Sequence, residues 1–409
     1  MNKKNPYFEL MATPGAVWFS AAGLLARLAL PMTGIGAITM LSLLGHSYVL
    51  AGTLAASFVL TYALLSPQIS RWVDRFGQSK VLPCAAATSA LGMGLVVMAS
   101  WLQGPVWLMF AGAVLAGSMP SISAMVRARW TVVFRGQPRL QTAYALETVL
   151  DEFSFIVGPP LSVGLAVAWF PQAGLLVAAL VLLLGAGALA ALRATAPAVA
   201  VPDSNTRANP AAPSVLSLAA VRCLVLLMLS MGAIVGSVDI VSVALAQQWG
   251  EPAWASGILV AYATGSCVAG MVFGAIQLPL PARQLLLVGA VATAVSVCLL
   301  LVAGGAVAVV ATVGLAGVFF GPTMIVAMTL VEQLVAEHQL TEGLTWLLAG
   351  LNVGVAIGAA LSGYVVDAYG VVHGWSVAVA AGVLLVLIAA VAYRQLRPVP
   401  AEAAVRCAA

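Results

Sequence analysis

Five charged residues lie inside long apolar runs, where ionised side chains are rare. They are Arg27, Glu147, Asp151, Glu152 and Asp239. If those runs cross a bilayer, a charge at mid-depth costs about 3 kcal/mol or more. A charge kept at that cost usually has an ionic partner or a task, such as carrying a proton. These five residues are therefore the candidate functional residues of the chain.

The spacing of the acids predicts which of them act together. Glu147 and Asp151 are four residues apart, so they share one helical face. Like-charge repulsion and burial both favour the neutral form of a carboxyl group, so one of the two could take up a proton. Glu147 lies near the predicted cytoplasmic surface and could instead be solvated. Arg27 lies near the middle of its run, at a depth similar to that of Asp151, and we expect it to pair with Asp151 or Glu152.

Two interpretations of these charges stay open. The Arg27 pair could carry protons, or it could be a structural ion pair that fixes helix register. Asp239 could recognise a cationic group or carry a proton, or it could be a partly hydrated residue near the outer mouth.

Composition places these residues in a membrane. Only 7% of residues are charged and 62% are hydrophobic, whereas soluble domains carry about 25% charged residues. The mean hydropathy is +1.07. The net charge of +4 comes from basic residues in short loops between apolar runs, which is typical of membrane topology and not of nucleic-acid binding.

Other chemistry is not indicated by the sequence. The three histidines are dispersed, the five cysteines form no Cys-x-x-Cys pair, and neither a phosphate-binding Gly-rich loop nor a Gly-x-Ser-x-Gly nucleophile motif occurs. We therefore predict no catalytic residue, no metal site and no cofactor, and we do not expect an enzyme.

The apolar runs predict twelve transmembrane helices, since a span needs about 20 apolar residues. They cover residues 15–44, 47–67, 81–101, 105–127, 143–168, 172–193, 219–246, 253–278, 284–303, 305–331, 341–365 and 372–393. Every lysine and arginine outside Arg27 falls at the same side of this arrangement, which predicts that both termini are cytoplasmic.

The one long hydrophilic interruption predicts two bundles of six helices. Residues 194–217 are rich in Ala, Pro, Asn and Ser and read as a cytoplasmic linker. The predicted units are an N-terminal bundle (1–193), this linker, a C-terminal bundle (218–393) and a cytoplasmic tail (394–409). Leu-Ala-Gly recurs at 115–117 and 315–317, and a related segment at 157–162 recurs at 357–362, so both matches share an offset of 200 residues.

The loop after the second span carries a family resemblance. Residues 66–80 read Ser-Pro-Gln-Ile-Ser-Arg-Trp-Val-Asp-Arg-Phe-Gly-Gln-Ser-Lys. The segment resembles the Gly-x-Leu-Ala-Asp-Arg-x-Gly-Arg-Lys loop of the major facilitator superfamily at Asp74, Arg75 and Gly77. In that loop we expect Asp74 to accept hydrogen bonds from a helix N-terminus, Arg75 to pair across the loop and Gly77 to adopt a positive φ. Together these residues could hold the two bundles closed on the cytoplasmic side.

The fifth span resembles the antiporter branch of the same superfamily. That branch carries spaced glycines followed by Gly-Pro, and the spacing is kept here by Ala145, Ser154, Gly158 and Pro159. Small residues let helices approach closely, and proline removes a backbone hydrogen bond. Ordinary small-residue packing is the alternative interpretation.

The resemblance implies a monomeric, multi-pass transporter of the cell membrane. Its partners would be a small-molecule substrate, protons and the lipid bilayer, with no nucleic acid. We expect proton-coupled efflux of an amphipathic or hydrophobic compound by alternating access. The alternative is uptake of a metabolite such as a sugar or an organic anion, with Arg27 contacting the anion.

Topology can be tested by labelling. Single cysteines in the loops 71–80 and 127–139, in a background without the five native cysteines, should react with an impermeant maleimide only when the cytoplasmic face is accessible, because both loops are basic. Labelling of the two loops from opposite faces would contradict the predicted topology.

Overall fold

The computed structural model describes residues 6–46, 48–197, 214–251, 253–276 and 278–395, and every regular element within them is a helix. The α-helices are α1 (Pro6–Met11), α2 (Ala16–Arg27), α3 (Ala29–Leu43), α4 (Tyr48–Phe76), α5 (Gln78–Trp101), α6 (Val106–Ala116), α7 (Ile122–Phe134), α8 (Arg139–Ala168), α9 (Ala173–Ala191), α10 (Ala219–Gln248), α11 (Ala253–Ala275), α12 (Ala282–Cys298), α13 (Ala306–Leu334), α14 (Leu340–Tyr369) and α15 (Trp375–Gln395).

Eleven segments of the described chain are helical, long and apolar enough to cross a membrane. The first of them, Ala16–Leu43, combines α2 and α3. The remaining predicted span, 105–127, is formed by the shorter apolar helix α6 and the first part of α7. The prediction of a helical, multi-pass membrane protein is therefore confirmed, with two of the spans each divided into two helices.

Two spans are interrupted next to a proline. α2 ends at Arg27 and α3 begins at Ala29, because Pro31 has no N–H to donate to the carbonyl of Arg27 four residues earlier. Residues 117–121, which include Pro120, separate α6 from α7. The first interruption places Arg27 at a helix end inside the first span.

The position of Arg127 and Arg129 corrects the sequence interpretation. Both were expected in the loop after the fourth span, but they lie in α7 and are fully buried. The helix restarts after Pro120 and continues to Phe134, since apolar residues around the two arginines extend its buried surface. The loop proper begins at Arg135.

The helices pack as two bundles. In the first bundle α5 packs on α6 and α9, and α3 packs on α4, α8 and α9. In the second, α10 packs on α14 and α15, and α13 packs on α11 and α12. The bundles meet where α4 packs on α14 and where α8 packs on α11 and α13. Residues 198–213 of the predicted linker and 396–409 of the predicted tail lie outside the described chain.

Glycines allow backbones to touch inside the second bundle. A Cβ on Gly354 of α14 would lie 2.0 Å from the carbonyl oxygen of Leu229, and a Cβ on Gly236 of α10 would lie 2.0 Å from that of Val355. No side chain fits at these positions, so α10 and α14 pack backbone to backbone.

Glycines at the repeated positions have matching neighbours. A Cβ on Gly117 would lie 2.9 Å from the amide nitrogen of Tyr62, and one on Gly317 would lie 2.2 Å from the carbonyl oxygen of Tyr262. These two contacts are related by the same offset of 200 residues that relates the sequence segments. The structure therefore supports a duplicated bundle.

The two ends of the molecule differ in charge. We call the end that carries Arg71, Arg135 and Arg139 the basic end, and the other end the opposite end. Three of the arginines at the basic end form ion pairs with acids of α1, α13, α14 or the turn before α14.

Candidate functional site

A network of buried charges joins the first span to α8. The Arg27 guanidinium donates a hydrogen bond to Asp151 Oδ1 at 3.0 Å and forms a short ion pair with the Glu147 carboxylate. Arg27 also donates to the Glu147 carbonyl oxygen at 3.3 Å. Glu147 is fully buried, and 3% of the Arg27 side chain is exposed.

α7 supplies a second cation and a ring donor. Arg127 Nη2 lies 2.8 Å from Asp151 Oδ2, and the Trp130 indole N–H donates to Glu147 Oε1 at 2.8 Å. The Ser123 hydroxyl donates to Asp151 Oδ1. Two guanidinium groups thus face two carboxylates, and the network is neutral as a whole. Such neutrality is what makes four charges tolerable in a low-dielectric interior.

The network agrees with only part of the sequence interpretation. Arg27 contacts Asp151, as expected, but Glu152 is not part of the network. Glu147 is buried and ion-paired, not solvated. Each of the two carboxylates faces a guanidinium group, and the expectation that one of them takes up a proton stays a prediction.

Sequence reasoning missed Arg127 and Trp130. The signal that could have found Arg127 is its position at the end of the predicted span 105–127, where the helix continues without a breaker. Once α7 extends to Phe134, Arg127 and Asp151 become natural partners on neighbouring helices.

The second bundle has no counterpart of this network. The residues 200 positions later are Leu227, Ala327, Leu347 and Leu351. The first three of these are buried in the apolar core. The network of Arg27, Arg127, Glu147 and Asp151 is therefore not repeated at the corresponding positions of the second bundle.

Glu152 lies on the other side of α8, toward the second bundle. Its Oε1 accepts a hydrogen bond of 3.2 Å from the Ser266 hydroxyl of α11. It also interacts electrostatically with Asp239 of α10. Both acids are half-buried, and in the described part of the chain neither forms an ion pair with a basic residue.

Residues of the loop motif at positions 66–80 connect the two bundles at the basic end. Asp74 Oδ2 accepts a 2.9 Å hydrogen bond from the backbone N–H of Glu342, the third residue of α14. A carboxylate at a helix N-terminus is stabilised by the helix dipole. Arg71 Nε lies 3.4 Å from Glu342 Oε2, and Ser70 shares a 2.7 Å hydrogen bond with Thr345. These contacts fasten α4 of the first bundle to α14 of the second.

The other two motif residues act locally. Gly77 has φ +90°, as expected for the turn between α4 and α5. Arg75 was expected to pair across the loop; instead it is exposed, and its guanidinium lies over the Phe76 ring at 5.2 Å. Gln78, at the start of α5, accepts a 2.8 Å hydrogen bond from Arg129, whose guanidinium also binds the last carbonyls of α9.

Further polar contacts join α8 and its preceding loop to the second bundle. Arg135 lies 3.3 Å from Glu332 and 3.2 Å from Glu337. Gln141 donates to the carbonyl oxygen of Phe273 at 2.7 Å. The contact between Glu152 and Ser266 lies about three helical turns farther along α8 than Gln141. Of these polar contacts between the bundles, the one made by Glu152 therefore lies farthest from the basic end.

The antiporter-like element of α8 lies at two helix contacts. Ala145 packs on Gly274 of α11, where an added Cβ would lie 2.3 Å from its own. Gly158 packs on Pro31, because a Cβ there would lie 2.8 Å from the proline ring. Ser154 donates to the carbonyl oxygen of Leu150, and α8 continues through Pro159 without interruption. The small residues of this element therefore let α8 pack closely against α11 of the second bundle and against α3 of the first.

Metal binding has no support in the described residues, which hold no group of three or more His, Cys, Asp or Glu side chains able to hold a metal ion.

Comparison with known proteins assigns the family. The family model for the Major Facilitator Superfamily matches residues 17–276 and 223–406. The chain belongs to the major facilitator superfamily. No curated protein sequence matches it significantly.

Solved superfamily structures are similar over most of the chain. A bacterial homologue of the iron transporter ferroportin in the outward-facing state has a TM-score of 0.71 at 14% identity, covering 91% of this chain and 99% of its own. The E. coli fucose:proton symporter FucP has a TM-score of 0.69 at 13% identity, covering 92% and 98%. The human organic anion transporter MFSD10 has a TM-score of 0.67 at 15% identity, covering 94% and 100%. These likenesses show the fold.

The ion-pair network of Arg27, Arg127, Glu147 and Asp151 predicts that substitutions of the neighbouring acids Asp151 and Glu152 change the stability of the protein by different amounts. Asp151→Asn should destabilise the protein by about 3–5 kcal/mol, because it leaves the Arg27 and Arg127 charges buried without their common partner. Glu152→Gln should leave stability nearly unchanged, since its amide oxygen can still accept from Ser266. Thermal unfolding of the purified protein in detergent measures both.

A combined variant provides the control. Replacing Arg27 with Leu, Arg127 with Ala, and both Glu147 and Asp151 with Leu gives the first bundle the residues found at the matching positions of the second. This variant should unfold at a higher temperature than Asp151→Asn, because no uncompensated charge remains. Equal stability of Asp151→Asn and wild type would contradict a structural role for the network.

Proposed function

We propose that this protein is a proton-coupled secondary transporter that exports a small amphipathic or hydrophobic compound by alternating access. The observation that carries the proposal is the pair of half-buried carboxylates, Glu152 and Asp239, which come from different bundles, interact electrostatically and have no basic partner in the described chain. Membership of a transporter superfamily supplies the general function.

The proton part rests on the contrast between paired and unpaired acids. Glu147 and Asp151 each form an ion pair with a guanidinium group, so protonation of either one would leave a buried cation without its partner. Glu152 and Asp239 have no such partner, and a half-buried carboxyl group without a counter-charge readily exchanges its proton. The groups around Glu152 are Asp151 on its own helix, Asp239 on α10, and Tyr262, Ser266 and Cys267 on α11. None of them is a cation.

The arrangement of the bundles suggests which way the site opens. Polar contacts fasten the bundles at the basic end, while no extensive packing joins α3 to α10 in the described chain. If the basic end is cytoplasmic, these contacts favour a state that is closed toward the cytoplasm. The homologue of ferroportin and FucP have both been solved in outward states.

Export is favoured over anion uptake by the environment of Arg27. Uptake of an organic anion would need a cation that the substrate can reach. Arg27 is almost fully buried and already neutralised by Glu147 and Asp151. The antiporter-like element of α8 supports the same direction.

Transport assays test the proposal. Inverted membrane vesicles with an acidic interior should release protons when ethidium or Nile red is added, because an exporter takes dye in as protons leave. Glu152→Gln and Asp239→Asn should each reduce this release at least tenfold. A pH-sensitive fluorophore inside the vesicles measures it, with vesicles that lack the protein as the reference.

The matched control is Glu251→Gln, an exposed acid at the opposite end, which should retain full release. Proton-linked dye movement of normal size in Glu152→Gln, Asp239→Asn and the double variant would overturn the proton-carrying role. If Glu251→Gln also lost proton release, the effect would not be specific to Glu152 and Asp239.

A further inference from the structure

The surroundings of Glu152 and Asp239 contain an unused hydrogen-bond donor. The Tyr262 residue is only 7% exposed, and its buried hydroxyl has no hydrogen-bond partner among the described residues. It lies close enough to Glu152 and Asp239 to interact electrostatically with both. A buried hydroxyl without a partner is costly, which suggests that a ligand or water completes the site.

Aromatic surface adjoins the same acids. The rings of Tyr262 and Phe320 lie 5.6 Å apart at 57°. Both rings are buried between α11 and α13. The Tyr262 ring, which packs on Phe320, lies near two carboxylates, so this region combines aromatic character with a negative potential. A cation with an apolar body satisfies both, through charge pairing and through cation–π contact.

Charge decides between ligand classes. Two carboxylates without a basic neighbour in the described chain repel an anion, and a neutral ligand can donate hydrogen bonds to them but cannot neutralise their charge. A divalent metal ion needs three or more oxygen, nitrogen or sulfur ligands, and no group of three His, Cys, Asp or Glu side chains occurs in the described residues. An organic cation needs one carboxylate and a surface for its apolar part.

We infer that Glu152, Asp239 and Tyr262 form a binding site for an organic cation, such as an amine or quaternary ammonium compound with an aromatic body. The inference rests on the proposed transport function and names its substrate class. Glu152 comes from the first bundle, and the other two residues come from the second, so the bound cation spans the bundle interface. Protons and the cation then compete for the same two carboxylates, which links export of one to entry of the other.

Binding to the purified full-length protein in detergent tests the inference without any gradient. Tetraphenylphosphonium and tetraphenylborate have the same shape and opposite charge, so they separate charge from hydrophobicity. Tetraphenylphosphonium should bind at least tenfold more tightly than tetraphenylborate. Its affinity should fall at least tenfold in Glu152→Gln and in Asp239→Asn, and it should weaken as the pH is lowered.

The controls are chosen to keep folding and function separate. Asp367→Asn removes an exposed acid at the opposite end and should bind tetraphenylphosphonium as the wild type does. Tyr262→Phe keeps the ring and should weaken binding less than loss of either acid. Thermal unfolding of each variant identifies any that fail to fold, and the conservative Glu152→Asp should retain part of the affinity.

Two results would overturn the inference. One is tetraphenylborate binding as tightly as tetraphenylphosphonium, and the other is unchanged tetraphenylphosphonium binding in the Glu152→Gln, Asp239→Asn double variant. Proton-coupled movement of Nile red alone would leave the transport function standing while the cation site fails. Carboxylate-dependent tetraphenylphosphonium binding without proton release in vesicles would support the site and refute the coupling.

Discussion

An ionised group at membrane depth needs a counter-charge, and this constraint organises the whole molecule. It sorts the four acids of α8 and α10 into two kinds. Glu147 and Asp151 are neutralised by Arg27 and Arg127 and can serve as framework. Glu152 and Asp239 form no ion pair with a basic residue in the described chain, and in the proposed function they exchange with a proton or a ligand. The proposed function follows from this division.

α8 is where the two kinds of acid meet. Asp151 and Glu152 are adjacent in sequence, but successive helical residues point about 100° apart. Asp151 therefore faces α2 and α7, while Glu152 reaches Ser266 of α11. The buried network anchors α8 in the first bundle, and the neighbouring carboxylate faces the second. In the proposed function, a change in the protonation of Glu152 acts at this interface between the two bundles.

The duplicated bundles have diverged in a way that suits this division. Gly117 and Gly317 keep matching contacts, so the packing of the two halves is related. The charges are not repeated, because Leu227, Ala327 and Leu347 fill the corresponding positions of the second bundle. The contribution of the second bundle to the interface is Asp239, the Tyr262 ring and the N-terminus of α14, which receives Asp74.

The sequence predicted the fold well and the site only in part. The lengths of the apolar runs predicted the spans, because side chains in contact with lipid must be apolar. Asp74 and Gly77 could be recognised because a turn between helices constrains a few adjacent residues. The pairing of Arg127 with Asp151 was not predicted, since it depends on where α7 ends after Pro120. Glu152 lies away from Arg27 because of how α8 is rotated about its axis relative to its neighbours, and the sequence pattern alone does not determine that rotation.

The central claim is that Glu152 and Asp239 exchange protons while Glu147 and Asp151 do not. Infrared difference spectroscopy of the purified protein between high and low pH measures this directly, through the carbonyl band of protonated carboxylic acids. The account predicts a band that shrinks in Glu152→Gln and in Asp239→Asn and persists in Glu147→Gln. A band that survives both of the first two variants and disappears in the third would contradict it.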